Sequence, residues 1–146
     1  METLTAHWDG YSGNINNYSI YDDPTSGKIH FIPWGTDATF EWQLMLSEQQ
    51  VAPRSINAAG LITRRLYLSE EGQQLYINRL LEVMDAYWDA DALVASVDEM
   101  VEIYSSAMLP ATQGPAQAGL AATKDFIRGQ DAQIRSEIET GPQPWT

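Results

Sequence analysis

A run of six turn-forming residues, Asp22-Asp-Pro-Thr-Ser-Gly27, lies between two short runs of β-prone residues, and it constrains how the first forty residues fold. The two runs are Asn17–Tyr21 and Lys28–Ile32. Aromatic and β-branched residues favour strands, whereas Asp, Pro, Ser and Gly favour turns, so the pattern predicts a β-hairpin. Pro33 is expected to end the second strand because proline has no N–H to donate to a ladder.

The rest of the chain has a helical pattern. Between Leu61 and about Thr140, apolar residues recur at steps of three and four, which predicts helices. Ser69 before two glutamates is typical of a helix start, and Leu109-Pro110 and Gly114-Pro115 are expected to break the chain. We expect residues 41–60 to be loop with short helical pieces and residues 141–146 to be a disordered tail. The fold class is therefore α+β, mostly helical with one hairpin.

Composition excludes several classes of function. The chain has 146 residues, which fits one domain or a large piece of one, and its net charge of −12 makes nucleic acid and anionic lipid poor partners. The absence of cysteine excludes disulfides, zinc–thiolate sites and cysteine nucleophiles. No run of eighteen apolar residues is present, so no membrane span is expected. The functional-looking residues begin at His7 with no signal peptide before them, which suggests a truncated chain. The oligomeric state is not determined by the sequence.

Three polar residues occur in an order that phosphoryl transfer uses. Asp9 precedes Asn14 by five positions, the hairpin follows, and Asp37 lies just beyond its second strand. Protein kinases use an Asp to orient the substrate hydroxyl, an Asn that reaches a metal, and a second Asp that holds Mg²⁺ on the phosphates. Because a hairpin brings its ends together, Asp37 is expected to return near Asn14 and Asn17, within reach of one shared cation. Oxygen ligands of this kind suit Mg²⁺ and exclude soft metals.

A longer string carries a more specific resemblance. Residues 7–28, followed by His30-Phe-Ile-Pro-Trp-Gly-Thr-Asp-Ala-Thr-Phe40, resemble the CotH kinase family. The shared features are an Asp-bearing loop, an Asn-Asn-Tyr strand, a tyrosine-ended Asp-Pro turn with Gly, and a Phe-Ile-Pro-Trp-Asp-x-Asp signature. Tyr87-Trp-Asp89 and Phe126-Ile-Arg128 also match the family. The resemblance covers nearly the whole chain and is strongest in its first forty residues.

The resemblance implies that residues 1–140 are the C-terminal lobe of an atypical protein-kinase-like fold, with the hairpin between catalytic and metal-binding loops. Such a kinase uses ATP and Mg²⁺ to phosphorylate Ser or Thr of a protein substrate. Asp9 would be the catalytic-loop carboxylate and Asp37 the Mg²⁺ ligand. Kinase spacing favours Asn14 as the further ligand at the nucleotide and metal site, and adjacency to the strand favours Asn17. The family also suggests a bacterial spore-coat or surface protein outside the cytoplasm.

Two departures from the family pattern affect these expectations. Gly35 stands where the family has the first Asp of its Pro-Trp-Asp-x-Asp signature, and the family's nucleotide-gripping strands and basic residue do not precede Met1. We therefore expect little or no activity from this chain alone. One alternative is a catalytically silent module of the same fold that binds metal or has a structural role, and another is a helical scaffold. Asp9 could instead cap a turn, the asparagines could be turn residues, Asp37 could cap a helix, and His7 could be a packed or loop-anchoring side chain.

Overall fold

A computed structural model describes residues 1–40 and 53–144 of the chain. The elements run in the order β1 (Tyr18–Asp23), β2 (Lys28–Pro33), α1 (Leu61–Tyr67), α2 (Glu70–Tyr87), α3 (Ala90–Ser105) and α4 (Pro110–Glu139). This α+β arrangement agrees with the fold class that the sequence predicts. The predictions for residues 41–52 and for the last two residues of the tail lie outside the described residues.

The predicted hairpin is confirmed. β1 and β2 pair antiparallel, from Tyr18 opposite Pro33 to Asp23 opposite Lys28. Asp23 closes the turn: its carboxylate accepts hydrogen bonds from the Thr25 N–H at 2.9 Å and from the Ser26 hydroxyl. Gly27 completes the turn at a φ of 65°, a left-handed conformation that glycine adopts without steric cost. Local turn chemistry therefore determines where the hairpin turns.

Two of the helices, α2 and α3, start where a capping side chain precedes them. Ser69 caps α2, as predicted, with its hydroxyl accepting from the Gly72 N–H at 3.0 Å. Asp89 caps α3 in the same way, accepting from the Ala92 N–H at 2.9 Å. Each cap provides an acceptor for one of the N–H groups that the first turn of a helix leaves without a partner.

The predicted break at Leu109-Pro110 is confirmed, and the predicted break at Gly114-Pro115 is wrong. Pro110 opens α4, where a missing N–H costs nothing, whereas Pro115 lies inside the same helix. The helix continues because Pro115 is close to its start, within the second turn. Ala111, whose carbonyl loses its partner, is exposed, so water can supply the hydrogen bond.

The N-terminal segment lies in the helical core. Leu4 packs in one buried cluster and Ala6 in another, with Trp88 packed against both. The first cluster also contains residues of α2 and α4, namely Leu80, Met84 and Ile134. The second also contains residues of α3 and α4, namely Val94, Phe126 and Ile127. Residues 4–6 are therefore fixed on the helices immediately before the loop that carries Asp9.

Polar contacts hold the same segment in place. Gln130 of α4 is fully buried, and its amide donates to the Leu4 carbonyl at 3.1 Å. The Tyr76 hydroxyl, bonded to the Thr3 hydroxyl at 2.9 Å, donates to the Ser55 carbonyl at 3.0 Å. Burial raises the pKa of Tyr76, so this hydroxyl stays protonated and remains a donor.

The described part of the tail contacts the helices. The Gln143 side-chain amide donates to the Glu137 carbonyl at 2.9 Å, and the Gln143 carbonyl accepts from the Tyr67 hydroxyl at 2.9 Å. These bonds connect residue 143 to both α1 and the end of α4.

Candidate active site

The loop from His7 to Asn17 winds tightly around Gly10. The Gly10 carbonyl accepts from the N–H groups of Gly13, Asn14 and Asn16 at 3.2, 3.1 and 3.4 Å. A Cβ at Gly13 would lie 2.0 Å from the Trp8 carbonyl oxygen, so no other residue fits without a backbone shift. This winding brings residues 14–17 back to Asp9.

Asp9 accepts hydrogen bonds from three asparagine side chains. The distances from its carboxylate oxygens are 2.8 Å to Nδ2 of Asn14, 2.6 Å to Nδ2 of Asn17, and 3.3 and 3.4 Å to Nδ2 of Asn16. The structure therefore brings together Asp9 and both asparagines singled out from the sequence. It adds Asn16, whose signal in the sequence was its place in the Asn-x-Asn-Asn run.

These bonds stabilise the charged form of Asp9. The hydrogen bond from Asn14 is the largest cause that lowers its pKa below the ordinary value, with smaller contributions from Asn16, Asn17 and the nearby His7. Desolvation opposes the shift but does not reverse it. Asp9 is therefore an ionised hydrogen-bond acceptor at neutral pH.

The asparagine cluster is held in unusual backbone conformations. Ile15 and Asn17 have φ angles of 56° and 47°, in the left-handed region. Asn tolerates this region, whereas a β-branched residue such as Ile rarely adopts it. Strained backbone of this kind persists where the surrounding structure imposes it, and it is concentrated at functional sites.

The hairpin returns to this cluster at Gly35. The Trp34 N–H donates to the Asn17 carbonyl at 2.9 Å, and a Cβ at Gly35 would lie 2.7 Å from Nδ2 of Asn17. Nε2 of the buried His7 lies 3.1 Å from the Gly35 carbonyl oxygen. Position 35, which meets Asn17, is therefore the one at which the resemblance leads us to expect a carboxylate and the chain has glycine.

Asp37 lies two residues further on, in an exposed turn that the Ala38 N–H closes by donating to the Gly35 carbonyl at 3.2 Å. Its carboxylate makes no hydrogen bond or ion pair with the described residues. Asp37, Asn14 and Asn17 were predicted to share a cation. The two asparagines donate hydrogen bonds to Asp9. Asp37 is exposed to solvent in the turn that follows Gly35.

The carboxylate and amide oxygens of this region suit a hard divalent cation, although position 35 is glycine and contributes no carboxylate. The three amide nitrogens point to Asp9, which leaves the amide oxygens of Asn14, Asn16 and Asn17 for other partners. Within residues 1–40 and 53–144, no group of three or more His, Cys, Asp or Glu side chains is placed to hold a metal. A Mg²⁺ site here would have to combine the Asp37 carboxylate with amide oxygens of Asn14 or Asn17, and with water.

Tyr11 connects the hairpin to the helices. Its ring packs on Tyr18 and Phe31, with centroids 4.9 and 4.6 Å away, and its hydroxyl accepts from the Ile62 N–H at 3.0 Å. A Cβ at Gly60 would lie 2.7 Å from the Tyr11 ring. The Asp9 loop, the hairpin and α1 therefore meet at one side chain.

The sequence interpretation missed the residues behind the loop. The Glu2 carboxylate accepts from the N–H groups of Tyr11 and Ser12 at 3.2 and 2.8 Å. A packed or loop-anchoring role was expected for His7, but its partner, the Gly35 carbonyl, was not identified from the sequence. An isolated Glu near a chain start has no sequence signal for such a role, because its partners are backbone groups nine and ten residues away.

Comparison with known families decides the assignment. A family model described as CotH kinase protein matches residues 1–140. The chain belongs to the CotH kinase family. No curated protein and no solved structure matches it significantly. The family match confirms the resemblance, and it supports a kinase-like function for this CotH-family chain at the level of the family.

Proposed function

We propose that this CotH-family chain is the catalytic-loop and metal-loop part of a protein kinase that transfers the γ-phosphate of ATP to Ser or Thr of a protein. The observation that carries the proposal is the ionised Asp9 carboxylate, held by three asparagine amides beside the loop to which the hairpin returns. In this domain, residues 1–40 supply the chemistry, and residues 61–140 supply the helical support.

Asp9 acts on the substrate hydroxyl as an acceptor. It is ionised at neutral pH, so it can orient the hydroxyl by accepting its hydrogen bond, and it takes the hydroxyl proton as the oxygen bonds to the γ-phosphorus and ADP leaves. Asn16 makes the longest bonds to Asp9 and is exposed, so an incoming hydroxyl can take its place. Asn14 and Asn17, which make shorter bonds, keep the carboxylate oriented during this exchange.

The phosphates need positive charge that the loop does not supply. Among the residues that the structure describes, no Lys or Arg forms an ion pair with Asp9 or Asp37. A divalent cation would neutralise the phosphates, and Asp37 with amide oxygens of Asn14 or Asn17 would hold it. These roles of Asp37, Asn14 and Asn17 are proposals that follow from donor type and position.

The test is calorimetric titration of ATP with and without Mg²⁺ on the chain and on Asp37→Asn. We expect weak Mg²⁺-dependent binding that Asp37→Asn reduces at least about tenfold, since a lost charged ligand is worth a factor of this size or more. Asp22→Asn is the matched control, because Asp22 is an exposed Asp on the same hairpin. ATP binding that does not depend on Mg²⁺ would contradict the proposal. So would an equal loss of ATP affinity in Asp37→Asn and Asp22→Asn.

A second candidate is a catalytically silent module, and the position of Gly35 favours it. The Asn17 amide occupies the space that a side chain at position 35 would need, and Gly35 has a φ of 69°, which strains any other residue. In a silent module, Gly35→Asp would change the affinity for Mg²⁺ without producing phosphotransfer. Phosphotransfer by that variant would contradict the silent module.

The substrate and the cellular location are proposals from the family alone. We propose a protein substrate presented outside the cytoplasm, at a cell or spore surface. Within the described part of the chain, no helix is both long and apolar enough to cross a membrane.

A further inference from the structure

Glu2 contacts the inner side of the loop that carries Asp9. Its two carboxylate oxygens accept from consecutive backbone groups, the Tyr11 N–H at 3.2 Å and the Ser12 N–H at 2.8 Å. No backbone carbonyl of the described residues accepts from either group. Since Tyr11 is buried, its N–H needs a protein acceptor, and Glu2 is that acceptor.

The contact is close to the functional carboxylate. A Cβ at Gly10, the residue after Asp9, would lie 2.7 Å from Oε1 of Glu2. The Gly10 carbonyl in turn accepts from the N–H groups of Asn14 and Asn16. The Glu2 carboxylate therefore holds the backbone just after Gly10. The Gly10 carbonyl in turn holds the backbone of Asn14 and Asn16, whose side chains bind Asp9.

We propose that Glu2 is a positioning residue for Asp9: its carboxylate holds the Tyr11 and Ser12 N–H groups, and so sets the loop in which the asparagines reach Asp9. The inference rests on the proposed function for its catalytic meaning. Glu2 does not touch the reacting atoms. A carboxylate is required because charged acceptors bind N–H groups more strongly than neutral ones, and because both oxygens must accept.

The chain contains a matched contact away from the site. The Glu137 carboxylate accepts from the Arg54 N–H at 3.1 Å and from the Ser55 N–H at 2.8 Å, which is the same arrangement on α4. Hydrogen bonds from Gln133 and from these two residues hold the pKa of Glu137 low despite opposing desolvation. Glu137→Gln therefore removes an equivalent pair of bonds without altering the Asp9 loop.

The experiment is NMR spectroscopy of the whole 146-residue chain, its Glu2→Gln variant and its Glu137→Gln variant. It follows the chemical shifts of the Nδ2 amide groups of Asn14 and Asn17, which donate to Asp9. If the loop loses its position, these hydrogen bonds break and the Nδ2 proton shifts return toward those of a free asparagine. A loss of overall stability does not move these shifts in the folded protein, so they separate positioning from a merely structural role.

We expect Glu2→Gln to move the Nδ2 proton shifts of Asn14 and Asn17 toward those of a free asparagine and to reduce protection of the Tyr11 and Ser12 amides from hydrogen exchange at least about tenfold. Glu137→Gln should leave the Nδ2 shifts unchanged and expose the Arg54 and Ser55 amides instead. Unchanged Nδ2 shifts in Glu2→Gln would overturn the proposal.

Glu2→Asp gives a second test if Glu2→Gln does not fold. It keeps the charge but is one methylene shorter, which draws the carboxylate away from the two N–H groups, so the Nδ2 shifts of Asn14 and Asn17 should again change. Unchanged shifts in folded Glu2→Asp would overturn the proposal. Neither measurement uses ATP or Mg²⁺, so failure of the kinase proposal in calorimetry would be distinguishable from failure of this one.

Discussion

The first forty residues and the helical part of this chain are held together by different forces. Between Glu2 and Gly35, the contacts are mostly hydrogen bonds of side chains to backbone or to other polar side chains, with left-handed residues at the bends. In the helices, apolar clusters are buried around Met84, Ile127 and Ile134. The hairpin buries little: every residue of β2 is exposed.

The contrast separates stability from site geometry. A buried apolar side chain contributes free energy of folding in proportion to the area it buries, whereas a hydrogen bond contributes only a modest net free energy but fixes an atom's position. We therefore expect core substitutions to lower the free energy of unfolding without altering Asp9. Substitutions in the loop should alter Asp9 with smaller losses of stability.

The largest expected effect is in the core. Ile134 is fully buried on α4, so Ile134→Ala should lower the free energy of unfolding by about 2–5 kcal/mol through lost burial and a residual cavity. Chemical denaturation measures this change. The exposed Leu75 on α2 is the control, and Leu75→Ala should change stability by no more than about 0.5 kcal/mol. Equal losses of stability in the two variants would contradict the conclusion that the buried helical core supplies most of the stability.

A smaller effect of mixed sign is expected from two glycines. Gly13→Ala places a Cβ against the Trp8 carbonyl, so the loop must shift, at a cost of about 1–3 kcal/mol. Gly129→Ala, on α4, meets no atom within 4 Å and should stabilise the chain by about 0.5–1 kcal/mol. Thermal unfolding of both variants gives the two signs. A neutral Gly13→Ala would show that the loop is not tightly packed.

The smallest effect on stability should be the most informative about the site. Asn14→Ala removes the bond that does most to lower the pKa of Asp9, so that pKa should rise toward its ordinary value. Because the folded pKa is depressed, the linked stabilisation is complete above the unfolded value of 3.8 and is lost as pH falls through the folded pKa. Carboxyl NMR titration measures the pKa directly.

The control for that titration is Asn78→Ala. Asn78 lies on α2, where its side chain accepts from Gln74 at 2.8 Å, so it is an asparagine with a local bond away from Asp9. Its loss should leave the pKa of Asp9 unchanged. A similar rise in both variants would mean that the asparagine cluster is not what lowers this pKa.

Much of the fold could be predicted because its signals are local. The predicted strands, residues 17–21 and 28–32, differ by at most two residues at each end from the observed strands. The agreement is close because turn formers and strand residues lie next to one another in the chain. The start of α2 at Ser69 was predictable for the same reason. The break predicted at Gly114-Pro115 was wrong because a proline near a helix start can be tolerated where water reaches the freed carbonyl.

The site was predictable only in part. The spacing of Asp9 and Asn14 indicated that they act together, and the structure does join them by a hydrogen bond. The contacts made by Glu2, His7 and Gly35 depend on how a loop winds and on where the hairpin returns. Pairings between a side chain and a distant backbone group leave no periodic pattern in a sequence, so these contacts could not be predicted.

The close approach of Gly35 and Asn17 also bears on what a substitution at position 35 would do. A change to Asp at position 35 would bring its Cβ against the Asn17 amide in a left-handed backbone, so the Asn17 side chain or the turn would have to shift. Because the Asn17 amide also donates to Asp9, that shift would change a contact of the Asp9 carboxylate. A substitution at position 35 is therefore not independent of the geometry at Asp9, although the two residues do not touch.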